Sequence, residues 1–140
     1  MTTQAQALAV LVVDDEPLVA RELSRGLTRA GLTVFSASSS AEAMGLVVAR
    51  PEIGAVISDI RMPGENGLHL ASWMLAARAG ALAAEVVLIT GHAAAEERAM
   101  AERHGAFAVI EKPFRLAELR GVAQAALARA AARRAAPEGG

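Results

Sequence analysis

The sequence predicts an α/β fold, a doubly wound sandwich in which one parallel sheet carries helices on both faces. Short runs rich in β-branched residues alternate with longer alanine-rich amphipathic segments, which is the pattern of βα units. The connections are short, and strands joined through a helix cross over in the right-handed sense. Five repeats occupy residues 8–134, so we expect one domain there, with a disordered N-terminus at 1–7 and a flexible tail at 135–140.

The boundaries of these elements follow from local signals. The first helix can begin at Pro17, and Gly31 suits its C-terminal end. Ser40 with Glu42 begins the second helix, which stops before Pro51. The predicted strands are Leu8–Val13, Thr33–Ala37, Ala55–Ser58, Glu85–Ile89 and Ala106–Ile110. The last three predicted helices are Leu68–Ala79, Ala93–His104 and Arg115–Arg134, and we expect the arginines that end the last one to be solvated.

Composition excludes several classes of protein. Although 54% of the 140 residues are apolar, no uninterrupted apolar run reaches the roughly 18 residues that span a bilayer. The pattern of a secretory signal is absent, and the lack of cysteine excludes disulfides, a thiol nucleophile and Cys-based zinc sites. A net charge of −1 provides no basic surface for nucleic acid. We therefore expect a cytoplasmic protein that contacts neither membrane nor nucleic acid directly.

The types of charged residue single out four positions. Asp14, Asp15 and Asp59 are the only aspartates, because every other acidic residue is Glu. Lys112 is the only lysine, because every other cationic side chain is Arg. All four follow predicted strands, and the carboxyl ends of parallel strands line the crevice where α/β proteins bind ligands. An aspartate after a strand can simply cap a helix, but capping does not explain adjacent aspartates and a lone lysine.

Three carboxylates that converge in one pocket require a cation among them, because their charges repel and raise one another's pKa values. Mg²⁺ suits such a pocket, since it prefers oxygen ligands, retains waters and often completes its shell with phosphate oxygens. The absence of Cys and of an adjacent His disfavours softer metals. The pair Asp14 and Asp15 is therefore a predicted magnesium site.

The second acidic stretch, "DIRMPGENG", places Asp59 before a loop rich in Gly and Pro, which oppose immediate helix formation. The carboxylate can therefore stay exposed, and a backbone carbonyl, that of Arg61, can turn toward the metal. Asp59 can then be a nucleophile that forms an aspartyl phosphate, or only a second metal ligand. At the last two strand ends, Thr90 in "LITGH" and Lys112 in "EKPF" can position and neutralise a phosphoryl group.

In their order along the chain, "VDDE", "DIRMPG", "LITGH" and "EKPF" resemble the receiver domains of two-component response regulators, from Leu8 to about Ala130. The resemblance implies a flavodoxin-like (βα)5 fold with strand order 2-1-3-4-5, and a signalling switch. It implies no enzyme activity beyond limited self-phosphorylation and autodephosphorylation. It also implies that Asp59 accepts phosphate from a sensor histidine kinase or phosphotransfer protein. The other implied site residues are the metal ligands Asp14, Asp15, Asp59 and Arg61, with Thr90 and Lys112 at the phosphoryl group.

The resemblance also implies a cis peptide between Lys112 and Pro113, an unidentified downstream protein target, and a homodimer through the face of the last strand and its flanking helices. One position departs from the family. Where receiver domains usually have an aromatic that swings inward, three residues before the lysine, this chain has Val109. We expect Phe107 to lie on the same strand face and cover part of that surface. The switch is then expected in the segment after Thr90 and in the following helix.

Two other classes of protein remain as alternatives. One is a Mg²⁺-dependent aspartyl-phosphate hydrolase of the haloacid-dehalogenase kind, which would need a second aspartate where this chain has Arg61. The other is an interaction module that works without phosphate. A P-loop nucleotidase is excluded because no Gly-rich loop ends in Lys-Ser/Thr.

Overall fold

The computed structural model describes residues 8–62, 65–77, 84–91 and 95–135. Along the chain the elements are β1 (Ala9–Val13), α1 (Pro17–Arg29), β2 (Val34–Ala37), α2 (Ser40–Ala49), β3 (Ile53–Asp59), β4 (Arg61–Met62), β5 (Glu65–Asn66), α3 (Gly67–Ala77), β6 (Glu85–Thr90), α4 (Ala95–Arg103), β7 (Ala108–Glu111) and α5 (Leu116–Ala135). The expected disordered N-terminus and all of the expected tail except Ala135 lie outside the described residues.

The main sheet confirms the predicted fold class. Its five strands pair in parallel in the order β2-β1-β3-β6-β7, which is the predicted order 2-1-3-4-5 once the short antiparallel pair β4–β5 is set aside. The implied cis peptide between Lys112 and Pro113 is also present. Among the described residues, no helix is both long enough and apolar enough to cross a bilayer.

The core consists of two layers, one on each face of the sheet. Alternate side chains of a strand enter opposite layers, because successive residues of a strand point to opposite faces. Thus Leu11 and Val13 pack with residues of α2 and α3, whereas Val10 and Val12 pack with α1 and α5. The carboxyl ends of the strands are thereby held rigidly next to one another.

The ends of the first two helices follow the local sequence. Gly31 has φ of +93°, a left-handed conformation that favours glycine, and its N–H donates to the Thr28 carbonyl at 2.9 Å. The next N–H, of Leu32, donates to the Leu27 carbonyl, so α1 ends as predicted. At the start of α2, the Ser39 hydroxyl accepts from the Glu42 N–H at 3.1 Å and caps the helix.

The beginning of the last strand was predicted wrongly. We expected strand from Ala106, but the Ala106 N–H donates to the Ala101 carbonyl and completes the end of α4. Phe107 consequently lies before β7, where the two-residue alternation of a strand does not apply. It packs against the core layer of α1 and α5, whereas Val109 packs against the opposite layer. Phe107 therefore does not substitute for an aromatic at Val109.

The C-terminal end of α5 also differs from expectation. Arg133 Nε donates to Glu85 Oε2 at 2.6 Å, and the Glu85 side chain is only 3% exposed. Arg134 donates to the carbonyl oxygens of Pro51 and Ile53, the latter at 2.8 Å. These arginines are thus not a solvated helix end. They attach α5 to the amino-terminal edge of the sheet, opposite the predicted site.

Candidate functional site

The central contact of the site joins the ends of two strands that are not neighbours. Asp59 is the last residue of β3, and Lys112 follows β7, with β6 lying between them. Lys112 Nζ donates to Asp59 Oδ2 at 3.2 Å. The Asp59 side chain is 13% exposed and that of Lys112 is 43% exposed. The predicted acid and ammonium therefore meet at the carboxyl edge of the sheet, where a ligand can still approach them.

The surroundings of Asp59 raise the pKa of its carboxyl above the ordinary value of 3.8. Burial is the main cause, because a low-dielectric surrounding disfavours the carboxylate. Lys112 opposes this by charge and by hydrogen bond, and the nearby negative charges of Asp14 and Asp15 raise the pKa further. All three aspartates thus lie within electrostatic reach of one another.

The two aspartates after β1 have different environments. Asp14 is buried, and its Oδ1 accepts the N–H of Glu16 at 2.9 Å, so one oxygen shapes the turn into α1. Asp15 is exposed. Within the part of the chain that the structure describes, no three acidic or His side chains are gathered closely enough to hold a metal by themselves. The convergence of the aspartates is therefore electrostatic, and they do not form a ready-made metal cage.

Directly after Asp59 the chain forms a tight structure that the sequence did not predict. Arg61 pairs with Asn66 in the short antiparallel pair β4–β5, and the Gly67 N–H donates to the Ile60 carbonyl at 2.7 Å. A methyl group on Gly67 would collide with the backbone oxygen of Asp59. Glycine therefore allows α3 to begin directly against the Asp59 backbone. Pro63 and Gly64, on which the exposure argument rested, lie outside the described residues.

Thr90 stands at the predicted edge, and its hydroxyl bonds to a residue of α4. The Lys112 N–H donates to the Thr90 carbonyl at 2.8 Å, which fixes the two residues side by side. The Thr90 hydroxyl, which is buried, donates to Glu97 Oε1 at 2.6 Å. Glu97 lies in the first turn of α4, so this bond connects the site to that helix.

Glu97 also binds the side chain of Arg61. Arg61 Nη2 and Nε donate to Glu97 Oε2 at 3.2 and 3.3 Å. Arg61 is 72% exposed and Glu97 15% exposed. Sequence reasoning missed Glu97, because no local pattern distinguishes it from its neighbour Glu96. Only the packing of α4 beside the ends of β3 and β6 reveals it.

Comparison with known proteins decides the family. The family model of the response regulator receiver domain matches residues 10–124. The chain belongs to this family. The match confirms the resemblance inferred from the motifs. Receiver domains are signalling switches and broadly are not enzymes.

Relatives and solved structures agree with this assignment. The chain is 37% identical over 108 residues to the C4-dicarboxylate transport transcriptional regulatory protein DctD of Rhizobium meliloti, covering 77% of this chain and 23% of DctD. It is 34% identical over 126 residues to the transcriptional regulatory protein FixJ of Azorhizobium caulinodans, covering 90% of this chain and 58% of FixJ. A response regulator receiver domain from Clostridium thermocellum superposes with a TM-score of 0.79 at 27% identity, covering 87% of this chain and 95% of that one. The chain thus spans only part of the length of these two regulatory proteins.

Proposed function

We propose that this receiver domain, residues 8–134, is a phosphoacceptor switch in the cytoplasm. Asp59 takes a phosphoryl group from a sensor histidine kinase or phosphotransfer protein, and the domain then changes its affinity for a downstream protein. The observation that carries this proposal is the 3.2 Å contact between Asp59 Oδ2 and Lys112 Nζ, at a partly buried carboxylate that two further acids surround.

In the proposed transfer, a carboxylate oxygen of Asp59 attacks the phosphorus of a phosphohistidine. The new O–P bond forms as the N–P bond breaks, and the electron pair of the broken bond stays on the imidazole nitrogen of the donor. Burial and the negative charges of Asp14 and Asp15 disfavour the ionised carboxylate of Asp59. The ammonium of Lys112 offsets part of this free-energy cost. After transfer, the ammonium of Lys112 can neutralise a phosphoryl oxygen as a point charge. Phosphoryl transfer depends mainly on such positioning and charge neutralisation.

Magnesium suits the chemistry of this donor set, which is all oxygen. Asp14, Asp15, Asp59 and the carbonyl of Arg61 are the residues proposed to hold it. Because the described acids do not form a closed cage, most of the remaining shell would be water and phosphoryl oxygen, as Mg²⁺ prefers. When bound, the ion supplies positive charge among repelling carboxylates and transferring oxygens.

The output surface proposed for this domain is the face formed by β7, α4 and α5. Met100, on α4, is a large apolar residue that is 46% exposed. A homodimer or a downstream protein at this face would bury its side chain. Nothing in the charge of the chain favours direct contact with nucleic acid, and we propose none.

Phosphorylation by acetyl phosphate with Mg²⁺ tests the proposal. Intact mass should show one phosphoryl adduct on the wild-type protein and none on Asp59→Asn. Glu111→Gln is a matched control, because Glu111 is an exposed acid beside Lys112 that takes no part in the proposed chemistry. An undiminished adduct on Asp59→Asn would remove Asp59 from this role.

The hydrolase alternative is less well supported. A hydrolase of the haloacid-dehalogenase kind needs an acid two residues after its nucleophile. That position is Arg61, whose side chain is engaged with Glu97. Autodephosphorylation of the switch itself is the only hydrolysis that we propose.

A further inference from the structure

We infer that Glu97 is a positioning residue that holds the Thr90 hydroxyl in the unphosphorylated state and thereby opposes switching. The inference rests on the proposed function and adds to it a residue that controls how readily the phosphorylated state forms. We call the set Thr90, Glu97 and Arg61 the α4 latch.

The first step concerns the single proton of the Thr90 hydroxyl. It is donated to Glu97 Oε1 at 2.6 Å, a short bond to a charged acceptor and therefore among the stronger hydrogen bonds. A hydroxyl has only one proton to donate. If Thr90 is to donate to a phosphoryl oxygen on Asp59, it must first leave Glu97. The carboxylate and the phosphoryl group thus compete for one donor.

The second step concerns what keeps the carboxylate of Glu97 in place. Arg61 donates two hydrogen bonds to Glu97 Oε2, while Oε1 receives the proton of Thr90. Arg61 lies two residues after Asp59, and Thr90 is the last residue of β6. The latch therefore connects α4 to the segment that directly follows Asp59 and to the end of the neighbouring strand β6.

The third step concerns how α4 is attached to the rest of the domain. Ala101 is its only fully buried residue, so apolar burial contributes little to its position. Arg98 reaches the Val109 carbonyl at 3.3 Å, and His104 contacts Ser72 Oγ at 2.6 Å. When Thr90 leaves Glu97, a short polar contact between α4 and β6 is lost. Motion of the helix can then report phosphorylation without an aromatic at Val109.

The consequence is a shift in a two-state equilibrium. A ligand shifts such an equilibrium only by its differential affinity for the two states. The latch stabilises the unphosphorylated state alone, so part of the binding energy of a phosphoryl group is used to open it. Removing the latch should therefore strengthen the binding of a phosphoryl mimic.

Affinity for beryllofluoride with Mg²⁺, followed by Trp73 fluorescence or amide NMR shifts, tests the latch. We expect Glu97→Ala to bind about three- to tenfold more tightly than wild type, the range of one charge-assisted hydrogen bond after partial compensation. Glu97→Gln, which keeps an acceptor without the charge, should lie between the two. Glu96→Ala is the matched control, an exposed acid one residue away on the same helix, and should stay within about twofold of wild type.

A double-mutant cycle separates the latch from a general effect of charge. In a Thr90→Ala background there is no hydroxyl for Glu97 to hold, so Glu97→Ala should then change the affinity by less than about twofold. A second readout needs no metal: hydrogen exchange in Ala95–Arg103 should be faster in metal-free Glu97→Ala than in wild type. Circular dichroism and thermal melts establish that each variant is folded.

The latch is overturned if folded Glu97→Ala binds beryllofluoride no more tightly than wild type, or if the gain persists unchanged without the Thr90 hydroxyl. Failure of the proposed function has a different signature. In that case the wild-type protein itself binds no beryllofluoride and takes no phosphoryl group on Asp59, and the latch fails with it.

Discussion

The helices α4 and α5 flank the proposed output face but are held in different ways. α5 has 20 residues and buries Leu119, Ala123, Ala126 and Ala130 against the sheet. α4 has nine residues, of which only Ala101 is fully buried, and polar contacts supply much of its attachment. One helix is thus part of the core, and the other is bound to its surface.

The strand β6 contacts both helices, from opposite ends. Its first residue, Glu85, accepts from Arg133 of α5, and its last residue, Thr90, donates to Glu97 of α4. The contact with α5 is partly buried and lies at the amino-terminal edge of the sheet, which a phosphoryl group on Asp59 does not reach. The contact with α4 lies beside the site and uses the donor that a phosphoryl group would need. The proposed phosphorylation of Asp59 would therefore release α4 while α5 stays in place.

The largest expected effect tests the ion pair that attaches α5 to the sheet. Arg133→Ala removes an ionic partner of the buried Glu85 carboxylate and should lower the free energy of unfolding by about 2–3 kcal/mol, less than for a fully buried pair because Arg133 is 34% exposed. Chemical denaturation measures it. The change should leave the beryllofluoride affinity within about twofold of wild type, since α5 is not part of the latch.

Two variants control this prediction. Arg129→Ala removes an exposed arginine from the same helix and should cost less than about 0.5 kcal/mol. Glu85→Gln combined with Arg133→Ala should recover part of the loss, because the buried negative charge that Arg133 neutralised is then removed as well. Equal stability of Arg133→Ala and Arg129→Ala would mean that the ion pair does not anchor α5.

An intermediate effect is expected at Asp59, and it depends on pH. The pKa of Asp59 is raised in the folded protein, so the folded state holds this proton more tightly than the unfolded state does. Stability therefore falls as pH rises from about 3.8 through the raised pKa, and the loss persists at neutral pH. In metal-free buffer at pH 7, Asp59→Asn should melt a few degrees above wild type, and the gap should close as the pH is lowered through this window.

Asp15→Asn should act in the same direction but less strongly. Asp15 is exposed, and its charge is one of the smaller causes of the raised pKa of Asp59. Thermal melts of both variants between about pH 3 and pH 8 show which of the two raises the melting temperature more. A lower melting temperature for Asp59→Asn than for wild type at neutral pH would contradict the assigned cost of ionising Asp59.

The smallest expected effect tests the exposed ion pair between Arg61 and Glu97 of α4. Arg61→Ala removes the exposed part of the latch but leaves the bond between Thr90 and Glu97. Such ion pairs contribute about 0.2–1 kcal/mol, so hydrogen exchange in α4 should rise by less than about fivefold, with α5 unchanged. High salt should reduce the difference between variant and wild type, because it screens exposed charges. An equal rise in both helices would mean that Arg61 acts on the whole fold.

Local patterns were sufficient to predict the fold class and to bring Asp59 and Lys112 to the same edge of the sheet. Strand and helix periods identified the five repeats, and the lone lysine among arginines marked Lys112. The position of each strand end then followed from parallel topology, so the pairing of Asp59 with Lys112 could be anticipated. These inferences succeed because residue type and backbone period are properties of short segments.

Only the tertiary structure decided the contacts that distinguish α4 from α5. Glu97 resembles Glu96 in sequence, and the arginines that end α5 resemble a solvated helix end, until packing brings each to its partner. Phe107 and Val109 pack in opposite core layers. The reason is that the Ala106 N–H completes the hydrogen bonds at the C-terminal end of α4, so that β7 begins only at Ala108. Each of these outcomes depends on residues far apart in sequence, whose distances are determined by how whole elements pack. A local pattern carries no information about such distances.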